Sequence, residues 1–240
     1  MDIIRDRLHM DKPVILRSDL RRDNLILLKK DVTCQKKLLE ERLEFRIKKL
    51  CKLIDKYHKD GLVLIFAQTT TYVDALYNIL EEISPGDVTR YHSRIEPERH
   101  KKELLFDFLH GERKIMIATS AFSMGIDVPD IELVVHFNAP ISMTDYIQQI
   151  GRARRDGRKA HCVLFYDQNG DDDAVSDRFI KKAKKQLQAA KTIKSNLNQV
   201  HNFIHNDNCM VSDILEYQRQ HEVKTCKRCT VCAQKRRNSR

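Results

Sequence analysis

Apolar positions along this chain fall into two rhythms. Leu62-Val-Leu-Ile-Phe66 is an uninterrupted apolar run of strand length. From Thr71 to Ile83 the period lengthens, and Val73, Leu76, Tyr77 and Leu80 share one face of a predicted helix. Pro85-Gly86 then marks a turn into a short strand ending at Tyr91. Glu96 to His110 reads as helix, with Leu104, Leu105, Phe108 and Leu109 inward. Strand Lys114-Ile-Met-Ile-Ala118, strand Glu132-Leu-Val-Val-His-Phe137, a helix from Met143 and strand Ala160-His-Cys-Val-Leu-Phe-Tyr166 continue the alternation. Continuously apolar strands separated by helices predict a mainly parallel sheet covered on both faces. The expected fold class is α/β.

The flanks are patterned differently. Asp2 to Leu8 reads as helical, Val14-Ile-Leu16 as strand-like, and Asn24-Leu-Ile-Leu-Leu28 as the first strand of the main sheet. Thr33 to His58 reads as a long charged helix or helical pair, and beyond Asp171 the chain turns helical and basic. Three segments are expected: residues 1–22, a main domain over 23–170, and a small basic helical module over 171–240. No apolar run approaches membrane-spanning length and there is no apolar leader, so an intracellular protein without membrane contact is expected.

With 240 residues and 41% hydrophobic content, the chain can build one full domain plus a small satellite. Its net charge of +10 is unevenly placed. From Arg178 onward, 15 Lys or Arg face 4 Asp or Glu, a balance of +11 that leaves −1 for the first 177 residues. A basic last quarter suits a polyanion such as nucleic acid. A solvated lysine-rich face accounts equally well for Lys181 to Lys194 taken alone. The tail Lys235-Arg-Arg237 fits nuclear localisation in a eukaryote or simple solvent-facing charge.

Cysteine spacing changes the picture further. Cys34, Cys51 and Cys162 stand singly in apolar or helical surroundings and read as reduced thiols, implying a reducing compartment. Cys209, by contrast, is followed after sixteen residues by Cys226, Cys229 and Cys232. Two consecutive CxxC spacings with a fourth cysteine upstream suit the four corners of a structural Zn²⁺ site. His205, one helical turn before Cys209, competes for the fourth position. Zinc would act here as a scaffold, presenting Lys227 and Arg228 to nucleic acid.

Upstream lies Gln148-Gln-Ile-Gly151-Arg152-Ala-Arg-Arg155-Asp-Gly157. Ser142 is a candidate N-cap, with Asp145 completing a capping-box pattern. If the helix runs on through the motif, Gln148, Arg152 and Arg155 share one face at i, i+4 and i+7, and they are expected at the C-terminal edge of the sheet. Guanidinium groups suit the charge that develops on a transferred phosphoryl group; a surface basic helix is the alternative. A second segment, Ala118-Thr-Ser-Ala-Phe-Ser-Met-Gly125-Ile-Asp127-Val-Pro-Asp130, begins as a strand ends. Thr119 and Ser120 offer hydroxyls and amides to a phosphate backbone. Gly125 permits close backbone approach, and Asp127 can accept from a ribose hydroxyl or pair with an arginine.

These segments resemble the second motor domain of superfamily 2 helicases, and specifically the RecQ family. The resemblance rests on Tyr91-His-Ser93, the Ala118 to Asp130 segment, His136-Phe-Asn-Ala-Pro140, Tyr146 to Gly157, and the four-cysteine spacing. It implies a RecA-like parallel sheet with helices on both faces, followed by a helical zinc-binding module. Residues 1–22 would be the tail of a first motor domain and its linker. Arg152 and Arg155 would be arginine fingers, Gln148 would contact the phosphates, and Asp127, Gly125 and Gly151 would approach the nucleotide. Thr119 and Ser120, with Gln68 and Ser93, would touch a DNA backbone, single-stranded or at a junction. The resemblance further implies ATP-dependent 3′-to-5′ unwinding of the kind used in DNA repair and recombination.

Three positions depart from the family pattern: Arg154 and Arg94 stand where Gly is usual, and Gln149-Ile150 replaces a Glu-Thr pair. No GxxxxGK[ST] and no DExH occurs in the 240 residues. ATP and Mg²⁺ are therefore expected only together with a first motor domain, in cis or in trans, and no ATPase is expected of this chain alone. A nucleic-acid- or partner-binding module derived from a helicase is the competing reading. An RNA helicase of the same superfamily is a third, opposed by the cysteine spacing.

Overall fold

The structure, a computed structural model, describes residues 7, 9, 11, 21–35, 38–123, 128, 130–168, 187–219 and 225–238. Most of the expected helix Asp2 to Leu8, the expected strand Val14 to Leu16, the start of the basic helix at Lys181, and the candidates Gly125 and Asp127 lie outside these residues.

Alternation within each strand builds a two-faced sheet. Strands β1 (Leu25–Asp31), β2 (Leu62–Phe66), β3 (Val88–Tyr91), β4 (Ile115–Ala118), β5 (Ile131–His136) and β6 (Ala160–Tyr166) pair in the order β1-β6-β5-β2-β4-β3. All five pairings are parallel. Val63, Ile65, Ile117, Val135 and Phe165 point to one face, where they pack with Leu50 and Ile54 of α1 (Leu39–Tyr57) and Val73, Leu76 and Leu80 of α2 (Thr70–Ile83). Leu64, Phe66, Met116, Val134 and Leu164 point to the other. There they meet Phe108 of α3 (Glu98–Leu109) and Met143, Tyr146 and Ile150 of α4 (Met143–Ile150). The RecA-like α/β fold expected from the apolar pattern is present. Tyr77 is only half-buried, its ring taking the Arg90 guanidinium at 4.6 Å.

The charged segment after β1 does not start its helix at Thr33. Thr33 instead ties the ends of β1 and β6 together: its hydroxyl accepts from the Gln168 amide at 2.9 Å while its own N–H donates to Asp31 at 2.8 Å. Cys34 is buried there, and α1 begins only at Leu39. Those extended residues feed the sheet face with Val32 rather than a helical turn.

The C-terminal helices pack directly onto the sheet. Val200, Phe203 and Ile204 of α5 (Leu187–His205) and Met210, Ile214 and Leu215 of α6 (Met210–Tyr217) join the same apolar cluster as Leu25, Leu27, Tyr146 and Ile150. Each fully buried aliphatic or aromatic side chain of this kind stabilises by about 1.5–3 kcal/mol relative to exposure. Polar contacts reinforce the join. Lys29 donates from its backbone to Thr230 at the start of α7 (Thr230–Asn238), and its ammonium donates to the carbonyls of Phe203 and Asn206. One apolar cluster therefore takes side chains from both of the expected segments, 23–170 and 171–240.

Candidate functional site

A parallel sheet has two unlike rims, and the candidate residues divide between them. At the C-terminal rim, β2 delivers Gln68, β3 delivers Ser93, β4 delivers Thr119 and Ser120, and β5 delivers Asn138. The Thr119 N–H donates to the Tyr91 carbonyl at 3.2 Å, which holds the exits of β3 and β4 together. The Gln68 side-chain amide donates to the Ala139 carbonyl, and Gln68, Ser120, Asn138 and Asp145 line a small cavity of about 40 Å³. Ser93 and Ser120 are exposed, and Thr119 and Gln68 are half-buried. The structure thus places four of the six residues expected to contact nucleic acid on one rim, the rim where parallel α/β sheets usually receive ligands, while Lys227 and Arg228 lie elsewhere.

Below this cavity, His136 Nε2 donates to Gln149 Oε1 at 2.8 Å, both side chains being buried. Burial lowers the His136 pKa to about 4, against a smaller opposing effect of the Gln149 hydrogen bond. Nδ1 is buried without a hydrogen-bond partner, so a second ring proton would have no acceptor among the described residues. A depressed histidine pKa makes its contribution fully present above the unfolded value near 6.5 and lost as pH falls from there toward 4. Acidification from pH 7 to 5 is expected to cost about 2 kcal/mol through this group. Equilibrium urea unfolding of wild type and His136→Asn at both pH values measures it; an equal pH loss in the two proteins would remove the assignment.

The arginine motif lies on the opposite rim. Because β5 and β6 are parallel, α4 must run back along the sheet, and the residues after it arrive where β6 starts. The Arg154 N–H donates to the Ile131 carbonyl at the start of β5, and the Ala160 N–H to Asn24 just before β1. The expected placement at the C-terminal edge is thereby corrected to the N-terminal edge. The expected continuous helix is corrected too: α4 closes at Ile150, Gly151 caps it, and Arg154 takes a left-handed φ of 32°. Gln148, Arg152 and Arg155 are thus not one helical face. The N-terminus of α4 does have the expected cap, Ser142 Oγ accepting from the Asp145 N–H at 3.0 Å.

Arg154, the residue whose direction the sequence leaves unassigned, turns inward. It pairs with Asp130 at 2.5 Å and Glu132 at 3.0 Å, and only 8% of its side chain is exposed. Glu132 also accepts from the Lys59 N–H, and Asp130 is shared with Arg158. Asp130 itself has φ +68°, so the ion pair joins two left-handed non-glycine residues. From below, Arg22 and Asn24 donate to the Arg154 carbonyl at 3.0 and 2.9 Å, and Arg22 to that of Ala153 at 2.6 Å. This clamp leaves Arg155 and Gln148 exposed. Arg152 is half-buried, with its guanidinium donating to the Ser123 carbonyl in the 3₁₀ turn Ser120–Ser123.

The clamp depends on a small neighbour. A Cβ on Gly61 would stand 2.8 Å from the Arg154 guanidinium and 2.9 Å from the Asp130 carbonyl oxygen. Gly61→Ala is therefore expected to break the Arg154 ion pairs and cost about 3–5 kcal/mol, the range for a buried pair losing a partner. Chemical denaturation of Gly61→Ala, Arg154→Ala and the double variant tests this. Fully additive losses would show that the glycine and the arginine are unconnected.

The cysteine cluster assembles beside β1, packed against Leu25 and Leu27. The Sγ atoms of Cys209, Cys226, Cys229 and Cys232 lie within 4.8 Å of one another, close to the roughly 3.8 Å edge of a tetrahedron with 2.3 Å Zn–S bonds. Backbone N–H groups of Cys226 and Cys229 already point at sulfur, to Cys209 and Cys226 at 3.3 Å each. A left-handed Lys227, φ +60°, makes that knuckle. Hydrogen bonding from the Cys229 thiol, more than any other effect, brings the Cys226 pKa down to about 4, so the pocket favours a thiolate. This donor set can hold a metal ion such as zinc. His205 stands outside it, its ring edge-on to Tyr166 at 5.7 Å. Cys34, Cys51 and Cys162 form no disulfide among the described residues, and burial pushes Cys162 up to about 12, keeping it a neutral thiol.

Arg228 is not presented outward as the sequence suggested. It pairs with Asp23 at 2.5 Å, holds that carboxyl below its usual pKa through this hydrogen bond, and ties the cysteine knuckle to the entry of β1. Lys227 remains exposed, as do Lys191 and Lys194 on α5. Sequence reasoning did not identify Asp130, Glu132, Gly61 or Arg22 as parts of the arginine site. Their only signal was an arginine where a flexible residue is usual.

Residues 46–157 match the family described as helicase conserved C-terminal domain. The ATP-dependent DNA helicase RecQ of Bacillus subtilis is 31% identical over 219 residues, covering 87% of this chain and 36% of its own length. The ATP-dependent DNA helicase hus2/rqh1 of Schizosaccharomyces pombe is 27% identical over 236 residues, 97% of this chain and 17% of its own. The chain thus spans about a third or less of these relatives. Among solved structures, the yeast DEAD-box splicing factor Prp28 shares the fold, with TM-score 0.53 at 24% identity over 74% of this chain and 38% of that one. With its parallel sheet, its arginine loop and its cysteine cluster, the chain belongs to the superfamily 2 helicases as a C-terminal motor domain of the RecQ type.

Proposed function

We propose that this chain is the second motor half of an ATP-dependent, RecQ-like 3′-to-5′ DNA helicase. ATP and Mg²⁺ would be held by a first motor domain, in cis or in trans, and Arg155 and Arg152 would complete the site from this side. The observation that carries the reading is the clamped loop. Asp130, Glu132, Arg22 and Asn24 hold its backbone and Arg154, while Arg155 stands exposed at the rim. A guanidinium held in place before the reaction stabilises developing phosphoryl charge without reorganising at that moment. Gln148, exposed one turn earlier, would meet the same phosphates. Asp127, Gly125 and Gly151 would approach the nucleotide sugar and backbone. Thr119, Ser120, Gln68 and Ser93 would contact a DNA strand on the opposite rim, and Lys227 would make a separate contact from the cysteine knuckle. The four cysteines would hold structural zinc. The DNA-helicase names of the relatives support both substrates. Action in the nucleus, in DNA repair and recombination, belongs to the same proposal for a eukaryotic source.

An ATPase assay of the purified chain, alone and with a separately produced RecQ-type first motor domain, tests the proposal. Background turnover alone and DNA-stimulated turnover on combination are expected. Hydrolysis by the chain alone would overturn it. Binding of DNA without turnover in the combined sample would establish the non-catalytic reading in its place.

A further inference from the structure

Away from both rims, a groove of about 480 Å³ runs between α1 and α7, where they flank β1. Its walls are cationic: Lys49, Lys52 and Lys56 line one side, Lys30 the end of β1, and Arg237 the other side. No Asp or Glu lines it, and among the described residues none of these five is paired with a carboxylate. Lys29 also borders the groove, but its ammonium is turned to the carbonyls of Phe203 and Asn206. The three α1 lysines recur at i, i+3 and i+7, spanning about 10 Å along one helix face. The floor is apolar, formed by Leu28, Leu53 and Val163; Tyr57 borders it, its ring packed against His161 at 4.2 Å and carrying the Lys56 ammonium at 4.9 Å.

Lys49 and Lys56 sit over the rings of Phe45 and Tyr57, which neutralise no charge. Cations without carboxylate partners repel one another within a Debye length of about 10 Å, and a polyanion removes that repulsion at several points at once. The apolar floor selects which polyanion. In a duplex the bases turn toward each other and only phosphates face outward. A single strand presents phosphates to the walls and an unstacked base to the floor. We propose that this groove is a second track for single-stranded DNA, separate from the C-terminal rim. The proposal rests on the reading of the chain as a DNA helicase half.

The test is binding of a fluorescent oligothymidylate to the full chain across a salt series. Lys49→Glu/Lys52→Glu/Lys56→Glu is expected to weaken the Kd at least tenfold at about 0.15 M salt. It should also flatten the log–log salt slope by about 2, since each lost single-strand phosphate contact removes about 0.7. Arg237→Glu, across the groove, should weaken binding in the same direction. A matched reversal at exposed Arg99, Lys102 and Lys159 should leave the slope in place. Ultraviolet crosslinking of a bromodeoxyuridine strand should label peptides of α1 or α7. If wild type binds and the groove variants match it, or if the matched control loses as much, the groove is excluded while the rim reading stands. If the wild-type chain binds no single strand, both fall. Thermal melting at the wild-type midpoint separates these outcomes from unfolding.

Discussion

Stripping metal from the four-cysteine cluster is expected to unfold α5, α6 and α7 and to destabilise the sheet beneath them. Structural zinc contributes about 10–16 kcal/mol of apparent binding free energy in small modules, more than most whole domains have in reserve. Here the effect should spread. Cys229 is fully buried and belongs to the same apolar cluster as Phe203, Ile204 and Leu27. Without metal, four thiols at this spacing would have to share protons or separate, and separation opens the cluster. Loss of helical circular dichroism and a fall in the melting midpoint should follow chelation, with Cys229→Ser giving the same loss and about no bound zinc. Cys51→Ser, outside the cluster, should retain both metal and midpoint. Unchanged melting after complete metal removal would refute the scaffold role.

The second large effect is catalytic. With a first motor domain supplied, Arg155→Ala is expected to lower kcat by about 10³–10⁵, or about 4–7 kcal/mol of barrier, with KM little changed. Its side chain is exposed, and a melting midpoint measured beside kcat separates chemistry from folding. Arg155→Lys should recover little, because an ammonium lacks the planar fork that reaches two phosphate oxygens. Arg152→Ala should lose activity as well, but with a broader effect, since its guanidinium also holds the Ser123 carbonyl. Equal turnover by wild type and Arg155→Ala would end the finger assignment.

The strands were legible because both sheet faces are buried, which leaves runs such as Leu62 to Phe66 without polar breaks. The cysteine set was legible because four ligands within twenty-four residues leave few geometries. The end of α4 was not legible, because what stops it is the Ile131 carbonyl and the Asp130–Glu132 pair, contacts with no local signature. The rim was misplaced for a simpler reason. The motif itself carries no sign of direction; only the parallel pairing of β5 and β6 sends α4 back to the edge where β6 starts. Arg228 looked like a nucleic-acid contact until folding brought Asp23, two hundred and five positions away, beside it. The basic groove draws on residues 30, 49 to 56 and 237, which no window of sequence places together.

One short turn has a mechanical consequence. Thr119 sits where a strand exits beside Tyr91, and four residues later the Ser123 carbonyl is gripped by Arg152. Phe122 anchors the turn between them, fully buried against Tyr91 and Phe108. The arc is therefore a short lever of about 8 Å pivoting on an aromatic fulcrum. A push on either end must be felt at the other.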